Sequence, residues 1–297
     1  MNLHYLMIKT RRGAIGVAPA SKPAKTNSPN QNKPVVWRKP KLPVAMSYLL
    51  QNPSAIFLLL ISPAVGSFLN VLIDRLPRGE DVVSRASACR SCGHKLRLAE
   101  LVPLLSYALA RGKCRACSVA IPPYHPLVEL AAIAAAALAI IAGQTPVQMA
   151  LGAAYLWILL TLAVTDWQVQ RLPDALSASL LLIALALATV TPGHSLVGAA
   201  LSGGIASLLF YLLRLAYRHL RHREGMGMGD VKLMAGIAAG LGLELLPYHL
   251  LLSSSAGLGV ALVASIKIKQ MPGQLMAVPF GTYLCAACAL LWFLTRV

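Results

Sequence analysis

Two isolated carboxylates stand at the ends of long apolar runs. Asp166 closes the run 151–165, and Asp230 opens the run 231–246 after Gly225-Met226-Gly227-Met228-Gly229. An acid at the lip of a membrane helix is costly in lipid and marks a functional site by default. Two carboxylates brought together do not both ionise easily: one keeps a proton and the other stays a base. The base can activate water while the acid protonates a leaving amide nitrogen. That is aspartic-peptidase chemistry, and its titration belongs to the pair. Bland readings stand beside it. Asp166 is also explained as a helix end in contact with water, and Asp230 as a helix N-cap, where acids are favoured. Asp174, after Pro173, reads as an N-cap. The same two acids would equally serve a proton-coupled transporter.

Three residues near Asp230 are candidate supports. Gly227 and Gly229 allow a sharp turn and the close approach of another segment, such as an extended peptide pairing like a strand. Lys232 is either a counter-charge to Asp230 or an interfacial lysine. Further away, Glu129 either pairs with a basic residue of the cysteine loop or faces water. Asn70 and Arg75 are read as hydrogen-bonding across helices or to a peptide backbone, or as ordinary polar helix ends.

The six cysteines fall into three Cys-x-x-Cys pairs. Cys89 and Cys92 are followed, after 21 residues, by Cys114 and Cys117 in the same polar loop. Each pair forms a knuckle whose thiolates converge on one ion, and two knuckles complete a tetrahedral four-cysteine site of the structural zinc type. Such a site holds its loop folded and points to a reducing compartment. Cys285 and Cys288 lie inside the last apolar run and read as packing residues.

The elements that position these groups are apolar and long. The chain has 297 residues, 57% of them hydrophobic and 12% charged. About 20 apolar residues cross a bilayer core of roughly 30 Å. Eight such segments are expected, near 48–73, 126–142, 147–165, 174–192, 195–217, 231–246, 248–266 and 277–295. The predicted fold class is therefore an all-α polytopic membrane protein with a small four-cysteine zinc-binding loop domain.

The net charge of +17 does not point to nucleic acid, because the basic residues cluster in loops flanking the apolar runs. The loops at 75–115, 171, 214–223 and 267–269 are basic, whereas the connections near 143–146, 193–195 and 246–248 carry no Lys or Arg. The positive-inside rule makes the cysteine loop and both aspartates cytoplasmic. Residues 1–45 hold nine Lys or Arg and no acid, with many Pro, Ser and Asn, so they are expected to be disordered. They lack the apolar stretch of a signal peptide. Eight spans would place this basic tail on the far side of the membrane, which favours Met46 as the start. The alternative is a genuine basic extension near anionic lipid.

Several of these stretches, in the same order, resemble the type 4 prepilin peptidases, the bifunctional leader peptidases and N-methyltransferases of pilus and type II secretion systems. The resemblance covers 46–297. It rests on Gly66-Ser67-Phe68-Leu69-Asn70-Val71 with Arg75-Leu76-Pro77, the two knuckles, Pro103-Leu104-Leu105-Ser106-Tyr107 and Pro126-Leu127-Val128-Glu129. Asp166 with Leu172-Pro173-Asp174, and Gly227-Met228-Gly229-Asp230-Val231-Lys232-Leu233, complete it. His125 departs from the tyrosine more usual before Pro-Leu-Val-Glu.

The resemblance implies an eight-helix aspartic peptidase of the bacterial inner membrane, with its active site facing the cytoplasm. It implies Asp166 and Asp230 as catalytic, prepilins or pseudopilins as substrates, and removal of a basic leader. The retained cysteine loop implies N-methylation with S-adenosylmethionine, for which no binding residues are legible. The resulting division is a basic extension at 1–45, a first transmembrane helix at 46–74, the four-cysteine domain at 75–125 and a seven-helix peptidase domain at 126–297. The competing expectations are a proton- or metal-coupled transporter with a zinc-binding loop, and an inactive assembly factor.

Overall fold

The computed structural model describes residues 52–96, 103–222, 226–268 and 279–297. The basic tail, Met46 and Gly225 lie outside the described residues. Among the described residues nine α-helices follow in order: α1 Pro53–Arg75, α2 Leu105–Leu109, α3 Tyr124–Ala142, α4 Pro146–Val169, α5 Asp174–Val190, α6 Leu196–Arg221, α7 Met228–Leu241, α8 Leu246–Ile268 and α9 Phe280–Leu294. All but the short α2 match an expected apolar segment. Among the described residues five stretches are long and apolar enough to cross a bilayer: Pro53–Arg78, Tyr124–Ala142, Pro146–Val169, Leu196–Arg221 and Leu243–Val263. Among the described residues the only β pairing is two isolated bridges, Ala88 with Lys95 and Lys113 with Ala120.

Local sequence explains the helix ends. Pro53 and Pro146 occupy first-turn positions, where a missing N–H costs nothing. Thr145 and Gln148 form a reciprocal capping box at the start of α4. Ser195 caps α6 by accepting from the Gly198 N–H at 2.9 Å.

The packing centres on α7. This helix has 14 residues, about 21 Å at 1.5 Å per residue, and almost everything from Val231 to Leu241 is buried. It is packed by α5, α6 and α9. Small residues make that possible. A β-carbon on Gly236 would lie 2.8 Å from Leu180 Cγ, and one on Gly240 would collide with the Tyr155 hydroxyl. Without a hydrophobic drive between helices in lipid, such close backbone approach is the main source of association. Tyr155 Oη also donates to the Gly236 carbonyl at 3.2 Å. A second group runs from α1 through α3 to α4, and α4 meets α9. The result brings the C-terminal end of α4 against the N-terminal ends of α7 and α9.

Candidate active site and metal centre

Asp166 is buried in the last turn of α4. The helix does not stop there but runs on to Val169, and Gln170, with φ 50°, closes it by donating its N–H to the Asp166 carbonyl at 2.9 Å. The simple helix-end reading of Asp166 is thus corrected. The N-cap reading of Asp230 is corrected too. Gly227 is the N-cap, and Asp230 is the third residue of α7. Its carboxylate reaches back to accept the Gly227 N–H, as the acid of a capping box does.

The two carboxylates converge on the first turn of α9. A β-carbon on Gly281 would lie 3.0 Å from Asp166 Oδ2 and 3.3 Å from Asp230 Oδ1. Only a residue without a side chain lets both acids approach that point. Thr282 then fixes one of them. Its N–H donates to Asp166 Oδ2 at 2.8 Å. Its hydroxyl lies 2.9 Å from the Ala163 carbonyl and 3.3 Å from Asp166 Oδ2, so its single proton serves one of them at a time. Neither Gly281 nor Thr282 was singled out from the sequence. The available signal was a Gly-Thr step directly after Pro279-Phe280, at the start of the last apolar run.

The neighbours have different work from that expected. Lys232 does not serve Asp230: its ammonium sits 2.7 Å from Asp174 Oδ1, an exposed pair joining α7 to α5. Asp174 is the first residue of α5, whose N-cap is Pro173, so it is not the cap itself. Gly229 is required by packing, since a β-carbon there would lie 3.0 Å from Leu172 Cβ. Gly227 has room around it, with Asp230 Oδ2 at 3.6 Å from the corresponding position. Cys285 and Cys288 are buried in α9, and Tyr155 Oη meets Cys288 Sγ at 3.2 Å.

The four loop cysteines gather into one cluster. All four sulfurs lie within 4.8 Å of one another. Cys89 and Cys117 are 3.8 Å apart, and Cys92 and Cys114 are 4.0 Å apart. These separations are far too long for disulfides. They suit a tetrahedral ion with sulfurs at about 2.3 Å, whose edges are about 3.8 Å.

The two knuckles are built alike. The Cys89 N–H donates to the His94 carbonyl, and the Cys114 N–H to that of Val119, both at 2.9 Å. The chain then turns back through Gly93 at φ 71° and Ser118 at φ 58°. Backbone N–H groups of Cys92 and Ser91 point at the Cys89 sulfur and pull its thiol down to about 6. A preformed thiolate is what zinc binds.

Buried polar groups clamp this loop to the helices. Glu129, buried in α3, accepts the Leu104 N–H at 2.7 Å, so its link to the loop runs through backbone. Arg75, buried at the end of α1, donates to the carbonyls of Asp81, Arg85 and Ala86. Asn70 Nδ2 crosses from α1 to the His125 carbonyl at 3.0 Å.

Fold and site together define a class: a multi-pass helical membrane protein with a carboxylate pair, Asp166 buried and Asp230 half-buried, and a four-cysteine loop. Residues 60–142 match the bacterial peptidase A24 N-terminal domain, and residues 153–262 match the type IV leader peptidase family. A prepilin leader peptidase/N-methyltransferase of Burkholderia pseudomallei is 36% identical, covering 78% of this chain and 83% of the relative. Proteins of the same name from Dichelobacter nodosus and Pseudomonas aeruginosa are 32% and 33% identical, covering 92% and 94% of those relatives and 82% and 83% of this chain. No solved structure matches this chain. The chain belongs to the type IV leader peptidase family and is a membrane peptidase.

Proposed function

We propose that this protein cuts the basic leader from type 4 prepilins and pseudopilins at the cytoplasmic face of the inner membrane, with Asp166 and Asp230 as the catalytic pair, and then N-methylates the new terminus. The observation that carries the peptidase reading is the convergence of the two carboxylates at Gly281. Two acids held this close share one proton. The ionised one takes a proton from water as it attacks the scissile carbonyl, and the protonated one passes its proton to the leaving amide nitrogen. The Thr282 N–H holds Asp166 in position for this.

The relatives' names supply the substrate and the second activity. S-adenosylmethionine, when bound, supplies the methyl group. Zinc held by Cys89, Cys92, Cys114 and Cys117 fastens the loop and stands apart from the acids. The basic loops at this end of the helices support a cytoplasmic site, where the leader of an apolar substrate helix would emerge from the bilayer.

The test is cleavage of a co-expressed prepilin by wild type, Asp166→Asn and Asp230→Asn, read as a mobility shift. Both variants should accumulate to normal levels and leave the prepilin uncut. Cleavage by either single variant removes the paired mechanism. No cleavage by wild type turns the reading toward a transporter or an assembly factor.

A further inference from the structure

Pro103-Leu104-Leu105-Ser106-Tyr107 serves neither the carboxylate pair nor the metal centre. The stretch leads into α2, barely more than one turn of helix, which lies between the two knuckles. The two faces of α2 differ. Ser106, Tyr107 and Ala110 border a cavity of about 560 Å³ where the cysteine loop meets α1 and α3. Leu105, Ala108 and Leu109 lie on the opposite face and are exposed. Leu105 is 55% exposed and Leu109 66%. The polar side is turned inward and the apolar side outward, the reverse of a surface helix in water.

Depth accounts for the inversion. The Leu104 N–H donates to Glu129 Oε2 at 2.7 Å, and the Ser67 hydroxyl donates to the same carboxylate. The 19 residues of α3 span about 28 Å, close to the roughly 30 Å of a bilayer core. Glu129 is five residues past Tyr124, about 7.5 Å in from the cysteine-loop end of that helix. Helix α1 gives the same level. Asn70 Nδ2 meets the His125 carbonyl at 3.0 Å. One turn further in, a β-carbon on Gly66 would lie 2.7 Å from the Glu129 Cα. A glutamate side chain leaning toward the start of its helix recovers only part of that depth. Leu104 therefore sits below the first turn of α3, and α2 lies beside it. Leucines exposed at that level meet acyl chains.

The backbone satisfies what such a position demands. The Ala108 N–H donates to the Leu104 carbonyl at 3.0 Å, and those of Ala110 and Gly112 to the Ser106 and Tyr107 carbonyls, both at 2.9 Å. Backbone that enters a membrane without spanning it persists where it is paired and borders a cavity. The chain then leaves through Arg111, Lys113 and Arg115, exposed cations suited to anionic headgroups.

We infer that α2 is a membrane wedge: Leu105 and Leu109 enter the acyl region of the leaflet on the cysteine-loop side and tie the four-cysteine loop to the bilayer. The wedge requires neither the proposed catalysis nor a particular side of the membrane for the loop.

The test uses zinc-loaded full-length protein in nanodiscs of phosphatidylethanolamine and phosphatidylglycerol. A lipid-soluble diazirine and a water-soluble one are photolysed in separate samples, and mass spectrometry of peptides locates the label by residue. Two exposed side chains are references: Leu130, beside Glu129 on α3, and Val83 in the loop. The lipid-soluble reagent should label Leu105 and Leu109 about as strongly as Leu130 and roughly tenfold above Val83, with the water-soluble reagent showing the opposite order. An acid is costly in lipid. Leu109→Asp should therefore lift the wedge, so that the water-soluble reagent gains access to Leu105 while zinc is retained.

Water-soluble label on Leu105 and Leu109 at the level of Val83 overturns the wedge. Label by neither reagent shows a protein surface over this face, from a second copy or another part of the chain, and overturns the lipid contact. Lipid-soluble label on Ser106 and Tyr107 in place of the leucines puts the reagent in the cavity and overturns the outward face. Unchanged label on Leu105 in zinc-loaded Leu109→Asp overturns the anchoring role. If that variant loses its zinc, the wild-type pattern decides.

Discussion

A β-carbon on Gly281 would stand 3.0 Å from Oδ2 of Asp166. The same carbon would meet Asp230 Oδ1 at 3.3 Å. The first turn of α9 is thus the surface against which both acids are set. Gly281→Ala should force the carboxylates aside without opening a cavity. A misplacement of about 1 Å in a catalytic group costs on the order of 100-fold in rate. The acids need give by only a few tenths of an ångström, so we expect prepilin cleavage to fall by less than that, roughly several-fold, while protein level and melting temperature stay near wild type. Wild-type cleavage by Gly281→Ala would show that the approach at Gly281 does not position the pair.

Glu129 tests how the cysteine loop is held. Its carboxylate accepts the Leu104 N–H at 2.7 Å inside the packed region. Leu104 itself has φ 58°, unusual for a leucine, so the loop leans on this bond. Glu129→Leu leaves the N–H unmet and should cost about 1–3 kcal/mol. Glu129→Gln keeps an acceptor and should lose much less. Limited proteolysis of 103–122 reads the difference. Equal protection in both variants would mean that the bond does not hold the loop.

Much of the architecture could be read from composition alone, because runs of apolar residues have one use in a chain of this kind. Each expected segment holds a helix, with ends moved by a few residues. The cysteine cluster was legible because ligand spacing is local. The support around the acids was less so. Asp166 and Asp230 stood out as isolated charges, but Gly281 and Thr282 carry no charge and sit in an ordinary apolar run. Their role exists only through contacts between residues more than a hundred positions apart. Lys232 misled for the same reason. Two residues from Asp230 in sequence, it turns instead to Asp174 on another helix.

The thiol of Cys89 gives a pH-dependent signature. Backbone N–H groups hold it down at about 6, against an ordinary thiol value of 9.0. In metal-stripped protein at pH 7 this sulfur is therefore already a thiolate, and the thiolate is the nucleophile. Iodoacetamide should modify Cys89 first among the four. The rate should fall as the pH drops through about 6, where the thiol regains its proton. Zinc should protect all four cysteines, and a chelator should restore the reaction. Mass spectrometry of peptides reads each site. Equal rates at the four cysteines in metal-free protein would remove the preformed thiolate.

Orientation rests on charge, and the far end of the bundle provides the check. There Arg296 lies 4.6 Å from the centre of the Trp292 ring and donates to Thr191 Oγ1 and the Gly240 carbonyl, each at 3.4 Å. It is the one Lys or Arg among the described residues at that end. The opposite end carries the cysteine loop, Arg171 and the basic close of α6 at Arg218 and Arg221. Lys and Arg near helix ends are retained in the cytoplasm during insertion. A fluorescent-protein fusion after Arg221 should therefore glow, and an alkaline phosphatase fusion at Gly193 should be active, since that enzyme matures only across the membrane. The reverse pattern would place both acids on the non-cytoplasmic side. A leader peptidase with its site there would meet prepilins only after export, and the proposed cytoplasmic cleavage would fall with it.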